Sequence, residues 1–407
     1  MSENDAHDHT HEDGHTHDHD HHHDWGEGYW PQPLRLGKGL AEHGAVDLLN
    51  ENRKPGPFYV NRKGEGGFSG IQTFGKLPVC LTPEDLIAGK IDVAVCGVPW
   101  DATATGRSGT NHGPMYIRQC DYVGNSRNAM PHLDVRVDAF TDLNMCDFGD
   151  SPIRVGNTYE TFEQIRKFVG AIVETKAIPI IIGGDHSITW PCATAVADYY
   201  GYGKVGIVHF DAHADTGDDM PGSLASHGTP MRKLIESGAV PGKNFVQVGL
   251  RGYWPDQPVI DWMKENQMRT HFMAEINHRG FDKVLEQAVD EALDQADHLY
   301  ISLDIDVVDP AYAPGTGTPE PGGITSVNIL TAIRRLAAEV GIVAMDLVEV
   351  SPPYDDKGEI TSLLANRAIR EAMTGIAMRR RGITDPNYVH PDALGPGVSR
   401  ALRSTND

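Results

Sequence analysis

Residues 204–215 read KVGIVHFDAHAD, a short apolar run that closes on three acids and histidines in five positions. Apolar side chains on successive positions mark a strand covered on both faces, as in a parallel sheet. Five other stretches have the same build: IDVAVCGVPWD (91–101), AIPIIIGGDHS (177–187), NFVQVGLRG (244–252), HLYISLDIDVVDP (298–310) and GIVAMDLVEVSPP (341–353). Helical candidates fall around and between them at 159–176, 188–200, 281–296, 327–340 and 361–380. That alternation predicts an α/β fold with a mostly parallel, doubly wound sheet.

Three of the strands end in potential metal ligands: Asp185 and His186, then Asp211, His213 and Asp215, then Asp304 and Asp306. In an open parallel sheet, ligand groups gather at the carboxyl ends of strands, so one crevice would collect them. Residues two apart on a strand share a face, which would point Asp211, His213 and Asp215 the same way, and likewise Asp304 and Asp306. So many acids repel one another unless a cation compensates them. Taken singly, each motif reads equally well as a turn with a helix cap. Three of them on three buried strands point instead to a pair of divalent ions.

The segments GGDHS, HFDAHADT, SLDIDVVDPAYAPGTGTPEPGG and AMDLVEVSPPYDDKGEITSLLANR resemble those of the ureohydrolases, the arginase and agmatinase family, from about Phe68 to about Arg379. The resemblance implies a three-layer α/β/α fold and hydrolysis of a guanidinium group to urea plus ammonia or an amine, by a hydroxide held between two metal ions. It implies that His186 and Asp215 serve the first ion, that His213 and Asp306 serve the second, and that Asp211 and Asp304 bridge both. Asp185 would stand just outside. His227, in SLASHGTPM, matches the family's proton-shuttling histidine, against an alternative as a hydrogen-bonded structural residue. Glu349, in DLVEVSP, matches the carboxylate that holds the guanidinium, against an alternative as a salt bridge at a strand end.

Arginases carry an Asn two positions after the last carboxylate of the DAHxD segment; here stands Gly217, followed by Asp218 and Asp219. A substrate α-carboxylate would meet negative charge there, which argues against arginase activity. The loop VPWDATATGRSGTNHGPMYIR (98–118) offers the small polar groups Thr103, Thr105, Ser108, Thr110, Asn111 and His112, suited to a compact substrate. Together with the long N-terminal arm and a His-rich tail, it is most similar to the nickel-dependent guanidine hydrolases of the agmatinase-like branch. Free guanidine with Ni2+ is therefore the first expectation; agmatine or 4-guanidinobutyrate with Mn2+, or a metformin-type substrate, is the alternative. Two other classes stay open: a single-zinc deacetylase of the same general fold, which would leave His186 and Asp306 unused, and a nickel-storage protein.

Residues 1–24 hold nine histidines and eight acids with no Lys or Arg, and read as a disordered metal-capturing tail. Residues 25–85 read as an extended arm, 86–383 as the catalytic domain and 384–407 as a loose C-terminal tail. The net charge of −22 excludes a basic nucleic-acid footprint and favours small cationic partners such as a guanidino substrate. No apolar run approaches the ~20 residues of a membrane span. Five cysteines (Cys80, Cys96, Cys120, Cys146, Cys192), none at C-x-x-C spacing, read as reduced thiols of a cytoplasmic protein. The family resemblance adds a homo-oligomer, trimer or hexamer, and nickel use would call for delivery proteins. Trp100, Trp254 and Trp262 are candidates for the far end of the pocket, with core packing the favoured role for each.

Overall fold

In the computed structural model, residues 53–62, 65–122, 130–218 and 225–394 are described. The tail at 1–24, the start of the arm and residues 395–407 lie outside these. Eight strands form one parallel sheet in the order β2-β1-β3-β8-β7-β4-β5-β6. They are β1 (Val93–Gly97), β2 (Met145–Asp150), β3 (Ile178–Ile182), β4 (Val205–Phe210), β5 (Phe245–Val248), β6 (Arg269–His271), β7 (His298–Asp304) and β8 (Ala344–Val348). Every residue of β1, β4, β5 and β8 is buried, as their mostly apolar runs predict. The six strands expected from sequence are all present. The two that escaped notice, β2 and β6, are the sheet edges, where part of each strand faces solvent and polar residues break the apolar run.

Helices cover both faces, giving three layers. On one side α1 (Thr158–Glu174) and α2 (Thr189–Tyr200) pack together against the sheet. On the other, α3 (Phe281–Ala292), α4 (Ser326–Arg335) and α5 (Ile360–Arg380) share a continuous apolar core with the sheet residues Val93, Ile180, Val208, Val246, Ile301 and Met345. The approach is close: a Cβ on Gly206 of β4 would stand 1.9 Å from the Ala292 carbonyl oxygen of α3. Only glycine lets helix and strand meet there.

Phe58 bridges Val79, and Val79 bridges Asp147 of the edge strand β2, so the arm covers a row of otherwise open backbone groups. It is anchored by Asp85, fully buried, whose two oxygens each lie 2.7 Å from Arg53 Nη2.

Candidate metal centre

β3, β8, β7 and β4 are neighbours in the sheet centre, and the predicted ligands lie at or just beyond the carboxyl ends of β3, β7 and β4. Local geometry is the same in three places. Asp185 Oδ1 accepts the Ser187 N–H at 3.1 Å, Asp211 Oδ1 that of His213 at 2.6 Å, and Asp304 Oδ1 that of Asp306 at 2.8 Å. Each aspartate thus folds the chain sharply as its strand ends. The turn reading and the ligand reading are both satisfied by the same residues. Shared strand faces are not what aligns the ligands, however. β4 stops at Phe210, and Asp215 takes a left-handed backbone with φ of 51°.

Two donor groups result. In the first, His186 Nδ1 lies 3.1 Å from Asp211 Oδ2, 2.9 Å from Asp215 Oδ2 and 3.1 Å from Asp304 Oδ2. In the second, His213 Nδ1 lies 3.0 Å from Asp306 Oδ2 and 3.5 Å from Asp211 Oδ1. Asp211 belongs to both and offers a different oxygen to each, whereas Asp304 joins only the first. His186 and Asp306, which a single-ion site would leave unused, both take part.

The donor set fits divalent cations on two counts. His186 Nδ1 and Asp211 Oδ2 are buried and, despite those short distances, make no well-angled hydrogen bond. A single ring N–H cannot serve three carboxylates, and each orphaned buried group costs ~1–3 kcal/mol, which an ion among them would offset. The electrostatics agree. Burial pushes the Asp304 carboxyl well above its usual range, and the charges of Asp306 and Asp211 push it further. Burial alone would lower the His213 value, yet Asp306 and Asp211 overcome it and push it up to about 12. Such a cluster takes up positive charge, as protons or as metal.

Beside it opens a cavity of about 310 Å³ lined by Thr105, His213, Asp215, Ser226, His227, Gly228, Trp254, Asp304 and Thr318. His227 Nε2 lies 2.7 Å from Thr105 Oγ1, and its Nδ1 lies 3.1 Å from Glu349 Oε1. Burial would lower the His227 value, but Glu349, with Asp215 and Asp185, raises it to about 9. The Glu349 carboxylate thus favours the charged ring. Glu349, 1% exposed, follows β8 with a φ of 62° and also accepts the His186 N–H at 2.8 Å. It stands behind His227 rather than among the cavity-lining residues. Its Oε2 is buried without a partner.

The loop at 98–118 contributes less to the cavity than expected. Of its six small polar residues only Thr105 lines the space. Thr103 instead accepts the His227 N–H on its carbonyl and donates its hydroxyl and its N–H to Asp185 Oδ2, knitting loop to site. A Cβ on Gly184 would fall 1.7 Å from the Trp100 carbonyl oxygen, so the strand β3 turn and this loop touch. Trp100 is buried as expected; Trp254, 39% exposed, lines the cavity instead of the core. Nothing near Trp254 in the sequence marks it, because it reaches the site from the loop after β5. Gly217 and Asp218 follow Asp215 as loop residues, while Asp219 lies outside the described residues. Burial pushes the thiols of Cys96, Cys146 and Cys192 upward, which leaves them poor nucleophiles. Among the described residues no helix is long and apolar enough to cross a membrane.

The arginase family profile matches residues 91–375. The chain is 36% identical over 299 residues to a guanidinobutyrase of Pseudomonas aeruginosa, covering 74% of this chain and 90% of that one. It is 36% identical over 303 residues to an agmatinase of Bacillus subtilis, covering 74% and 96%. A solved structure of proclavaminate amidinohydrolase from Streptomyces clavuligerus superposes with a TM-score of 0.68 at 31% identity, over 77% of this chain and all of the other.

Proposed function

The chain belongs to the arginase family, in its agmatinase-like branch, and is a hydrolase of guanidino C–N bonds; from that premise we propose that it releases urea from a short guanidino compound of the agmatine or 4-guanidinobutyrate kind. The observation that carries this reading is the pair of donor groups sharing Asp211 beside a cavity that also meets His227. The relatives' names favour this substrate class over free guanidine, the first expectation from sequence.

The ligands proposed are His186, Asp211, Asp215 and Asp304 for one ion, and Asp211, His213 and Asp306 for the other. Two divalent ions held there supply a water activated near neutral pH. A carboxylate-rich donor set suits manganese, and the tail's histidines are the one feature that points to nickel. Glu349, which is not among the cavity-lining residues, acts on the site through His227, whose Nδ1 it meets at 3.1 Å. His227 Nε2 accepts the Thr105 N–H at 3.2 Å and meets its hydroxyl at 2.7 Å on the cavity wall, so that once protonated it is placed to pass a proton to the departing nitrogen. A homo-oligomer forms part of the same proposal.

Free guanidine is kept as a second reading on one observation. Three hydroxyl residues, Thr105, Ser226 and Thr318, line the cavity, and among the described lining residues there is no Lys or Arg to meet a substrate carboxylate. The test is steady-state urea release from agmatine, 4-guanidinobutyrate, guanidine and metformin by protein loaded with Mn2+ or Ni2+. A kcat/KM for guanidine well above those for agmatine and 4-guanidinobutyrate would overturn the first reading in favour of the second. No urea from any of them would overturn both.

A further inference from the structure

Beneath the donor groups a row of polar side chains crosses the sheet. Thr270 of β6 pairs with Gln247 of β5, Gln247 with His209 of β4, His209 with Ser302 of β7, and Ser302 with Asp346 of β8. Gln247, His209, Ser302 and Asp346 are fully buried in an otherwise apolar sheet. Buried polar groups at one level on five strands are costly unless they satisfy one another, and here the hydrogens have fixed directions.

The directions follow from the acceptors. Gln247 Nε2 lies 2.6 Å from the Ala214 carbonyl, so that end of the amide is the NH2, and its other hydrogen reaches His209 Nδ1 at 3.3 Å. His209 therefore accepts on Nδ1 and carries its hydrogen on Nε2, 2.8 Å from Asp211 Oδ2. On the other side, Asp346 Oδ1 takes the Ser302 hydroxyl hydrogen at 2.8 Å, while its Oδ2 takes those of Tyr300 and Thr189 at 2.6 and 2.8 Å. With its hydrogen committed, Ser302 Oγ accepts from His186 Nε2 at 3.0 Å. That leaves His186 Nδ1 bare, facing three carboxylates.

We propose that this row sorts two adjacent buried histidines, whose rings lie 4.9 Å apart, into different roles: His186 an ion ligand, His209 a ring whose N–H sits 2.8 Å from Asp211 Oδ2, off the angle of a full hydrogen bond, and so cannot ligate. His209 and Ser302 are then positioning residues for the first-group ion. Distance alone would allow His209 to bind as well, since His186, His209 and Asp211 also come within ligating range of one another. The hydrogen on His209 Nε2 forbids it. By drawing on Oδ2 and not Oδ1, His209 also makes the two ions unequal. This inference rests on the two-ion reading above.

The experiment measures stepwise Mn2+ affinity of the full chain by competition with a chelator, with EPR of the bound ions and the thermal midpoint of the metal-free protein. Wild type should take up two Mn2+ that give a spin-coupled spectrum. His209→Phe and Ser302→Ala should weaken one ion by ~10–100-fold, the range for lost outer hydrogen bonds to metal ligands, and leave the other unchanged. At one equivalent the spectrum should become that of an isolated Mn2+. His209→Gln, which keeps an N–H near the same place, should restore the coupled pair. Gln247→Met, which touches no ligand, should weaken the same ion and serves if His209→Phe does not fold. Unchanged affinities in His209→Phe, or in Gln247→Met where His209→Phe does not fold, would overturn the proposal. So would an equal loss of both ions with a lowered metal-free midpoint, which marks a merely structural role. A wild-type stoichiometry below two would overturn the two-ion reading itself.

Discussion

Replacing Glu349 by Gln should uncouple His227 from pH. The carboxylate lies 3.1 Å from the imidazole, and both side chains are largely buried, at 1% and 13% exposed. Lifting the His227 value from 6.5 to about 9 corresponds to about 3 kcal/mol, at ~1.36 kcal/mol per tenfold change in proton affinity. The folded value is the higher one, so this stabilisation is complete below pH 6.5 and drains away as pH rises through about 9. The assay is a double-mutant cycle: urea unfolding of wild type, His227→Gln, Glu349→Gln and the double variant, at pH 6 and pH 10 with the protein kept metal-free. In the wild-type background His227→Gln should cost about 3 kcal/mol more at pH 6 than at pH 10. In the Glu349→Gln background most of that difference should vanish. An equal cost at both pH values would refute the claim that Glu349 keeps His227 charged.

Other consequences are simpler to test. Asp306→Asn should lower bound metal from two ions per chain to one, read by elemental analysis, because Asp306 serves only the second group. Gly184→Ala should be severely destabilising, since its Cβ would meet the Trp100 backbone at 1.7 Å; a thermal midpoint within a degree of wild type would contradict the packing described. Arg251 donates to the carbonyls of Gly249, Asp306, Val307, Glu320 and Pro321, stapling the loop that carries Asp306 and Thr318. Arg251→Ala should cost on the order of 3 kcal/mol in urea unfolding and raise KM more than it lowers metal content.

The six ligands were legible because each aspartate sits where an apolar strand run stops, and that boundary is visible in the sequence. Their alignment was not, because it comes from three Asp-centred turns and a left-handed Asp215 rather than from strand alternation. His209 and Ser302 each stand two residues before a ligand at or just beyond the end of their strand. A polar residue at that spacing in an apolar run is a signal that sequence could have given. Thr105 was among six equivalent candidates, and only the fold separates it from its neighbours. Trp254 carried no signal to set it apart, since its place depends on how a distant loop folds over the sheet edge. The edge strands β2 and β6 were hidden for a related reason: half-solvated strands need no apolar run.

Asp215 and Glu349 hold backbone angles that glycine adopts freely and acidic residues resist, at ~1–3 kcal/mol each. Glycine at either position would ease the main chain and delete a carboxylate in the same step. At Glu349 the pair with His227 and the bond to the His186 N–H outweigh the eased backbone, so only at Asp215 are copies of this gene passaged under heat alone, with no demand for turnover, expected to drift toward glycine, gaining robustness while falling silent. Copies held to their chemistry should keep that acid and stay the more fragile.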